Sequence, residues 1–165
     1  MFKKATVTPD RIYENTREIP LKELRDMGFR VAFFDMDNTI VPDRAEQPGE
    51  YAFDTMQRFR DAGFRCCIVS NAKSDRSSLL AEQLGVPCIS QAKKPGITGM
   101  ARALSLMDAK NTETIMLGDQ LLTDIIAAKR AGIFAIWMLP LGKKEIFYVR
   151  IKRPIEKILR WIARF

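Results

Sequence analysis

Apolar residues in this chain gather in short unbroken runs, and the segments between the runs carry apolar positions at helical spacing. Runs ending at Phe34, Val69, Ile89, Leu117 and Met138 are too short for helices and read as strands buried on both faces. The predicted strands cover 31–35, 64–69, 86–89, 114–117 and 133–138. Between them lie predicted helices at 49–61, 75–84, 96–107 and 121–131, with a shorter one at 21–27 ahead of the first strand. Glycines 28, 63, 85 and 132 stand just past helix ends, where a left-handed residue closes the last turn. Strands alternating with helices imply right-handed crossovers. The expected fold is therefore α/β, a three-layer doubly wound (Rossmann-like) parallel sheet of about five strands.

In open parallel sheets chemistry collects at the carboxyl ends of strands. The first run ends in Asp35-Met36-Asp37-Asn38-Thr39. Two carboxylates one residue apart repel unless a cation compensates them, which points to a hard divalent ion such as Mg2+. An Asx-rich turn is the plain alternative, since Asp, Asn and Thr all favour turns. The second run ends in Ser70-Asn71. Lys94 directly precedes Pro95 and Gly96, a helix-start signal. The fourth run ends in Gly118-Asp119, with Asp124 five positions later. Taken singly, Ser70-Asn71 reads as a turn, Lys94 as a loop lysine and Asp124 as a first-turn acid favoured by the helix dipole. Taken in order at strand ends, they form one constellation of carboxylates, hydroxyl and lysine.

These four segments resemble the motifs of the haloacid dehalogenase (HAD) superfamily of phosphotransferases, over residues 31 to about 138. Within it, Asp-x-Asp-Asn-Thr, Ser-Asn and Gly-Asp-Gln-Leu-Leu-Thr-Asp are similar to the small YqeG-type branch (HAD class IIIA), to which a mitochondrial phosphatidylglycerophosphate phosphatase is also similar. The resemblance implies a phosphoric monoester hydrolase. In it Asp35 is the nucleophile that forms an aspartyl-phosphate, and Asp37 is the general acid and base. It further implies that Mg2+ binds Asp35, the Asp37 backbone carbonyl and Asp119. Thr39, Ser70, Asn71 and Lys94 would hold the substrate phosphate, Ser70 and Lys94 catalytically, with Asp124 in a supporting role that orients Lys94 or a metal-bound water.

Other chemistries are narrowed by composition. The chain has no His, which excludes Ser-His-Asp triads and His-bearing zinc sites. Its three cysteines, Cys66, Cys67 and Cys88, form no C-x-x-C and read as buried free thiols in a reducing compartment. Too little chain separates the motifs for a cap domain. An uncapped site cannot close a lid over a small metabolite, which favours a substrate presented on something large.

Charge narrows that choice. The net charge is +7, yet residues 143–165 hold eight Lys/Arg against two Glu, so the basic excess belongs to the tail. There Phe147, Ile151, Ile155, Ile158, Leu159 and Ile162 recur at roughly helical spacing among the cations. The expected organisation is a phosphatase domain with an N-terminal extension over 1–142 and a basic amphipathic helix over 143–165, peripheral on an anionic membrane. The same stripe could instead pack on the domain. No nucleic-acid partner is expected, because an aliphatic stripe is wasted on phosphates. No apolar run spans a bilayer and the first residues lack a secretory core, so the expected location is cytoplasmic, at the inner membrane face. The function expected is dephosphorylation of a phospholipid, phosphatidylglycerophosphate. The alternatives are a HAD phosphatase acting on a protein, nucleic-acid or small-metabolite phosphate, and a non-catalytic HAD-fold binding module.

Overall fold

The computed structural model describes residues 7–73 and 75–141. Six parallel strands form one sheet: β1 (Arg11–Tyr13), β2 (Val31–Phe34), β3 (Arg65–Val69), β4 (Cys88–Ile89), β5 (Thr114–Gly118) and β6 (Phe134–Met138), in the order β1-β6-β5-β2-β3-β4. From β2 the chain steps outward to β3 and β4, then returns to place β5 on the other side of β2. The switch point of the sheet thus lies at the carboxyl end of β2, where a crevice opens in folds of this kind. Register keeps the neighbouring ends level, with Phe34 opposite Ile68 on one side and Leu117 on the other.

Alternation along the strands separates two cores. Phe34 packs with Phe59, Leu80 and Leu84 from α2 (Glu50–Asp61) and α3 (Arg76–Leu84), and with Leu24 from α1 (Leu21–Asp26). Phe33 faces the opposite side, with Met100 and Ala103 from α4 (Thr98–Leu106) and Ala127 and Ala128 from α5 (Ile126–Arg130). The buried positions of α2, Ala52, Thr55, Met56 and Phe59, follow the helical stripe that sequence spacing predicts. Phe59 meets Phe34 edge-on, ring centres 4.9 Å apart. Gly85 closes α3 at φ 68°, as its helix-end position predicts.

The three-layer doubly wound arrangement is as expected, with differences of detail. The sheet has a sixth strand, β1, paired in parallel with β6 at the edge. β4 is two residues long rather than four, and α4 starts at Thr98 rather than at residue 96. The helix expected over 121–131 opens with a wide π turn, Leu121–Ile125, before α5. Between β2 and β3 the described chain holds only α2, and between β3 and β4 only α3, so no cap interrupts the domain among the described residues. No helix among those residues is long and apolar enough to cross a membrane. The basic helix expected over 143–165 lies outside the described residues.

Candidate active site

The site starts where β2 runs out. Asp35 extends the sheet by one residue, its N–H donating to the Leu117 carbonyl at 2.8 Å, and its side chain is buried. The chain then turns on the Met36 carbonyl, which accepts from the N–H groups of Thr39, Ile40 and Val41 at 3.3, 3.1 and 3.2 Å. Asn38 occupies the left-handed region at φ 59°, a conformation Asn tolerates better than most residues. Met36 sits in the apolar core and anchors the turn, so the carboxylates on either side of it project from a fixed backbone.

Lys94 reaches this point from the loop after β4. Its Nζ donates to Asp35 Oδ1, Asp124 Oδ1 and the Val69 carbonyl, each at 2.7 Å. These three acceptors match the three protons of an ammonium. Burial pulls the Lys94 ammonium toward deprotonation, but Asp35 and Asp124 outweigh it and hold the group above its ordinary value. Asn71 fixes the backbone of the same residue, its amide donating to the Lys94 carbonyl at 2.9 Å and accepting from the Lys94 N–H at 2.8 Å. Both ends of the Asn71 side chain thereby bond to the Lys94 backbone. Ser70, buried at the end of β3, accepts from the Ala72 N–H through Oγ at 3.1 Å.

Asp35, Asp119 and Asp124 bring carboxylate oxygens within 4.8 Å of one another. One ammonium cannot compensate them all. Burial, with Asp124 and Asp37 adding to it and Lys94 opposing, pushes Asp35 up to about 7. Burial followed by repulsion from Asp35 and Asp124 pushes Asp119 up to about 7 as well. Asp119 Oδ1 is buried with no hydrogen-bond partner, an arrangement that costs about 1–3 kcal/mol if nothing fills it. Excess negative charge, hard oxygen donors and an orphaned carboxylate oxygen fit a divalent cation of the Mg2+ class. The Thr39 hydroxyl is also buried without a partner.

Two neighbours fix the acids. The Trp137 indole N–H donates to the Asp119 carbonyl at 2.8 Å. Asp124 accepts from the Gln120 N–H through Oδ2 at 3.1 Å, while Oδ1 takes Lys94. Gly118 permits this approach, since a Cβ there would stand 2.4 Å from Asp124 Oδ2. The π turn presents Asp124 back over the strand end, a placement that helical periodicity does not foretell.

Asp37 stands outside the acid cluster and pairs with Arg76, in the first turn of α3. Sequence reasoning gives no signal for Arg76 or Trp137, because neither belongs to a motif. The candidate residues therefore divide. Buried Asp35, Lys94 and Asp124 form one group with half-buried Asp119, Asn71 holds its lysine, Thr39 lies in the turn after β2 and Ser70 at the end of β3, and Asp37 faces a different partner. Cys66, Cys67 and Cys88 are free, and burial pushes the Cys66 and Cys67 thiols up to about 12, so neither serves as a nucleophile.

Comparison with known proteins bears on this arrangement. The family model for mitochondrial PGP phosphatase matches residues 1–140. A probable phosphatase YqeG of Bacillus subtilis (strain 168) is 30% identical over 149 residues, covering 90% of this chain and 87% of that protein. The chloroplastic phosphatidylglycerophosphate phosphatase 1 of Chlamydomonas reinhardtii is 29% identical over 90% of this chain, which spans 58% of that relative's length. Among solved structures, an uncharacterized protein from Listeria monocytogenes serotype 4b superposes with a TM-score of 0.57 at 21% identity, covering 71% of this chain and 84% of that one. The 3-deoxy-D-manno-octulosonate 8-phosphate phosphatase of Moraxella catarrhalis, solved with magnesium, phosphate and KDO, gives 0.51 at 17% identity over 70% of this chain and 71% of that one. At those identities the structures speak for the fold alone.

Proposed function

The chain belongs to the mitochondrial PGP phosphatase family and is a phosphoric monoester hydrolase of the HAD type, and from that premise we propose how it works and on what. The substrate is phosphatidylglycerophosphate, and the reaction passes through an aspartyl-phosphate on Asp35. One observation carries the mechanism: a buried carboxylate at the sheet switch point, held 2.7 Å from a lysine whose own position is fixed from three sides.

Asp35 attacks phosphorus through a carboxylate oxygen while the bond from phosphorus to the ester oxygen breaks. The departing oxygen takes its proton from Asp37, and the alcohol leaves. A water then gives a proton to Asp37 and attacks the same phosphorus, releasing phosphate and restoring Asp35. Lys94 supplies fixed positive charge beside the phosphoryl oxygens, and because Val69 and Asp124 hold its ammonium it needs little reorganisation as charge develops. The buried hydroxyls of Ser70 and Thr39 contribute donors to the phosphoryl oxygens. A bound Mg2+, held by Asp35, the Asp37 carbonyl and Asp119, would offset charge on the carboxylates and the transferring group.

The lipid part rests on other support. The plant-type relatives are named for phosphatidylglycerophosphate, the described residues form no cap, and the cations of 143–165 suit an anionic leaflet. The domain would then work from the membrane face, with 143–165 as its contact. Purified full-length protein with Mg2+ should be offered phosphatidylglycerophosphate in mixed micelles beside glycerol phosphate, nucleotides and phosphopeptides. Fastest turnover of the lipid is expected. Faster turnover of any other phosphomonoester sinks the lipid reading and spares the hydrolase, whereas full activity in excess chelator removes the metal.

A further inference from the structure

Arg76 is not used by the mechanism above, and its position needs an explanation. A cation in the first turn of a helix is disfavoured by the macrodipole. Its side chain nevertheless crosses from α3 to the loop after β2, donating from Nη1 to the Ala45 carbonyl at 2.6 Å and from Nη2 to Asp37 Oδ1. The pair lies at the mouth of the site, with the Arg76 and Asp37 side chains 24% and 28% exposed against 1% for Lys94.

On the proposed mechanism Asp37 touches the leaving oxygen. A guanidinium bonded to Asp37 therefore stands on the alcohol side of the scissile bond, opposite the phosphoryl side that Lys94 serves. Its planar fork carries more N–H donors than these two contacts consume, and that fork matches the oxygens of a phosphate. With no cap among the described residues, recognition of the alcohol falls to loops of the domain itself.

We propose that Arg76 holds Asp37 in place and at the same time reads a second anion, a phosphodiester carried on the alcohol half of the substrate a few bonds from the leaving oxygen. The inference rests on Asp37 being the acid. It gives the uncapped site a selectivity that does not depend on acyl chains.

The test uses two soluble substrates, glycerol phosphate and glycerophosphoglycerol phosphate, which share the phosphomonoester and differ by the diester. Wild type should prefer the diester-bearing compound. Arg76→Ala should lose at least about tenfold more kcat/KM on that compound than on glycerol phosphate, mainly through KM, the scale of one charge-assisted hydrogen bond. Arg76→Lys should recover part of the difference by keeping charge without the fork. Equal losses on both substrates would reduce Arg76 to a support for Asp37 and overturn the proposal, as would a wild type with no preference. Melting curves of Arg76→Ala and Arg76→Lys separate misfolding from lost recognition. If wild type prefers the soluble diester but ignores micellar lipid, the membrane reading fails and the role of Arg76 stands. If Asp37→Asn keeps wild-type turnover of glycerol phosphate, the acid assignment fails and this inference with it.

Discussion

Asn71 grips Lys94 by its main chain rather than by its ammonium, with one bond to the carbonyl at 2.9 Å and one from the N–H at 2.8 Å. The lysine then emerges at a fixed angle toward Asp35. Each such bond contributes about 1 kcal/mol net. Asn71→Ala should therefore lower thermal stability by a few degrees and reduce kcat with little change in KM, because the misplaced group acts on the transition state. Asn71→Asp, which keeps an acceptor for the Lys94 N–H but loses the donor, should fall between Ala and wild type. Steady-state kinetics on an aryl phosphate beside thermal melts check both.

Replacing Lys94 tests the buried charge balance directly. Lys94→Met is close in volume, yet it strands Asp35 and Asp124 with no cation, and breaking a buried pair costs about 3–5 kcal/mol. A chain of this size should then melt roughly 10 °C lower. Activity should fall below detection. A melt unchanged from wild type would mean that the ammonium contributes nothing to holding the carboxylates.

Gly118 makes a steric prediction at the same spot. A methyl group there meets the Asp124 side chain 2.4 Å away, so Gly118→Ala must push Asp124 from Lys94 or shift the π turn. Overpacking of this kind costs about 1–3 kcal/mol. The expected result is a lower melting temperature and a raised Mg2+ requirement together, measured by melts and by metal titration of activity.

How much of this the sequence carried can be traced residue by residue. The central strands were legible because Val31–Phe34, Arg65–Val69 and Thr114–Gly118 are apolar runs with no helical alternative of that length. β1 was not, since Arg11–Tyr13 is three residues with Ile12 42% exposed, an edge strand held by β6 and invisible to periodicity. The motif acids were legible from their places at strand ends. The use made of Asn71 was not, because an amide after a strand looks the same whether it faces a phosphate or another backbone. Arg76 lies 39 residues from Asp37, and only the placement of α3 beside the loop after β2 brings them together.

The tail offers a prediction from charge alone. Lys152, Arg153, Lys157 and Arg160 should each contribute roughly 1 kcal/mol near an anionic leaflet. Changing all four to Gln should release the protein from anionic vesicles while turnover of a soluble aryl phosphate survives. Sedimentation at low and high salt checks this, and binding by wild type that ignores salt would remove the electrostatic basis.

The raised carboxylates set how stability depends on pH. Asp35 and Asp119 titrate at about 7 in the fold, against an ordinary 3.8, so the folded chain holds protons that the unfolded chain has released. Their contribution to stability is full below 3.8 and is lost as pH climbs through about 7. In chelator, the melting temperature should therefore carry a falling component from about pH 4 to about pH 7. A divalent cation competes with those protons, so the upward shift produced by Mg2+ should grow over the same range. Ca2+ should support activity poorly, since it prefers looser coordination than Mg2+. Asp35→Asn removes one charge from the crowded group. It should melt higher than wild type in chelator above neutral pH while turnover drops below about a hundredth of the wild-type rate. A variant that melts lower under those conditions would show that losing the Lys94 pair outweighs the relief of burying one charge fewer.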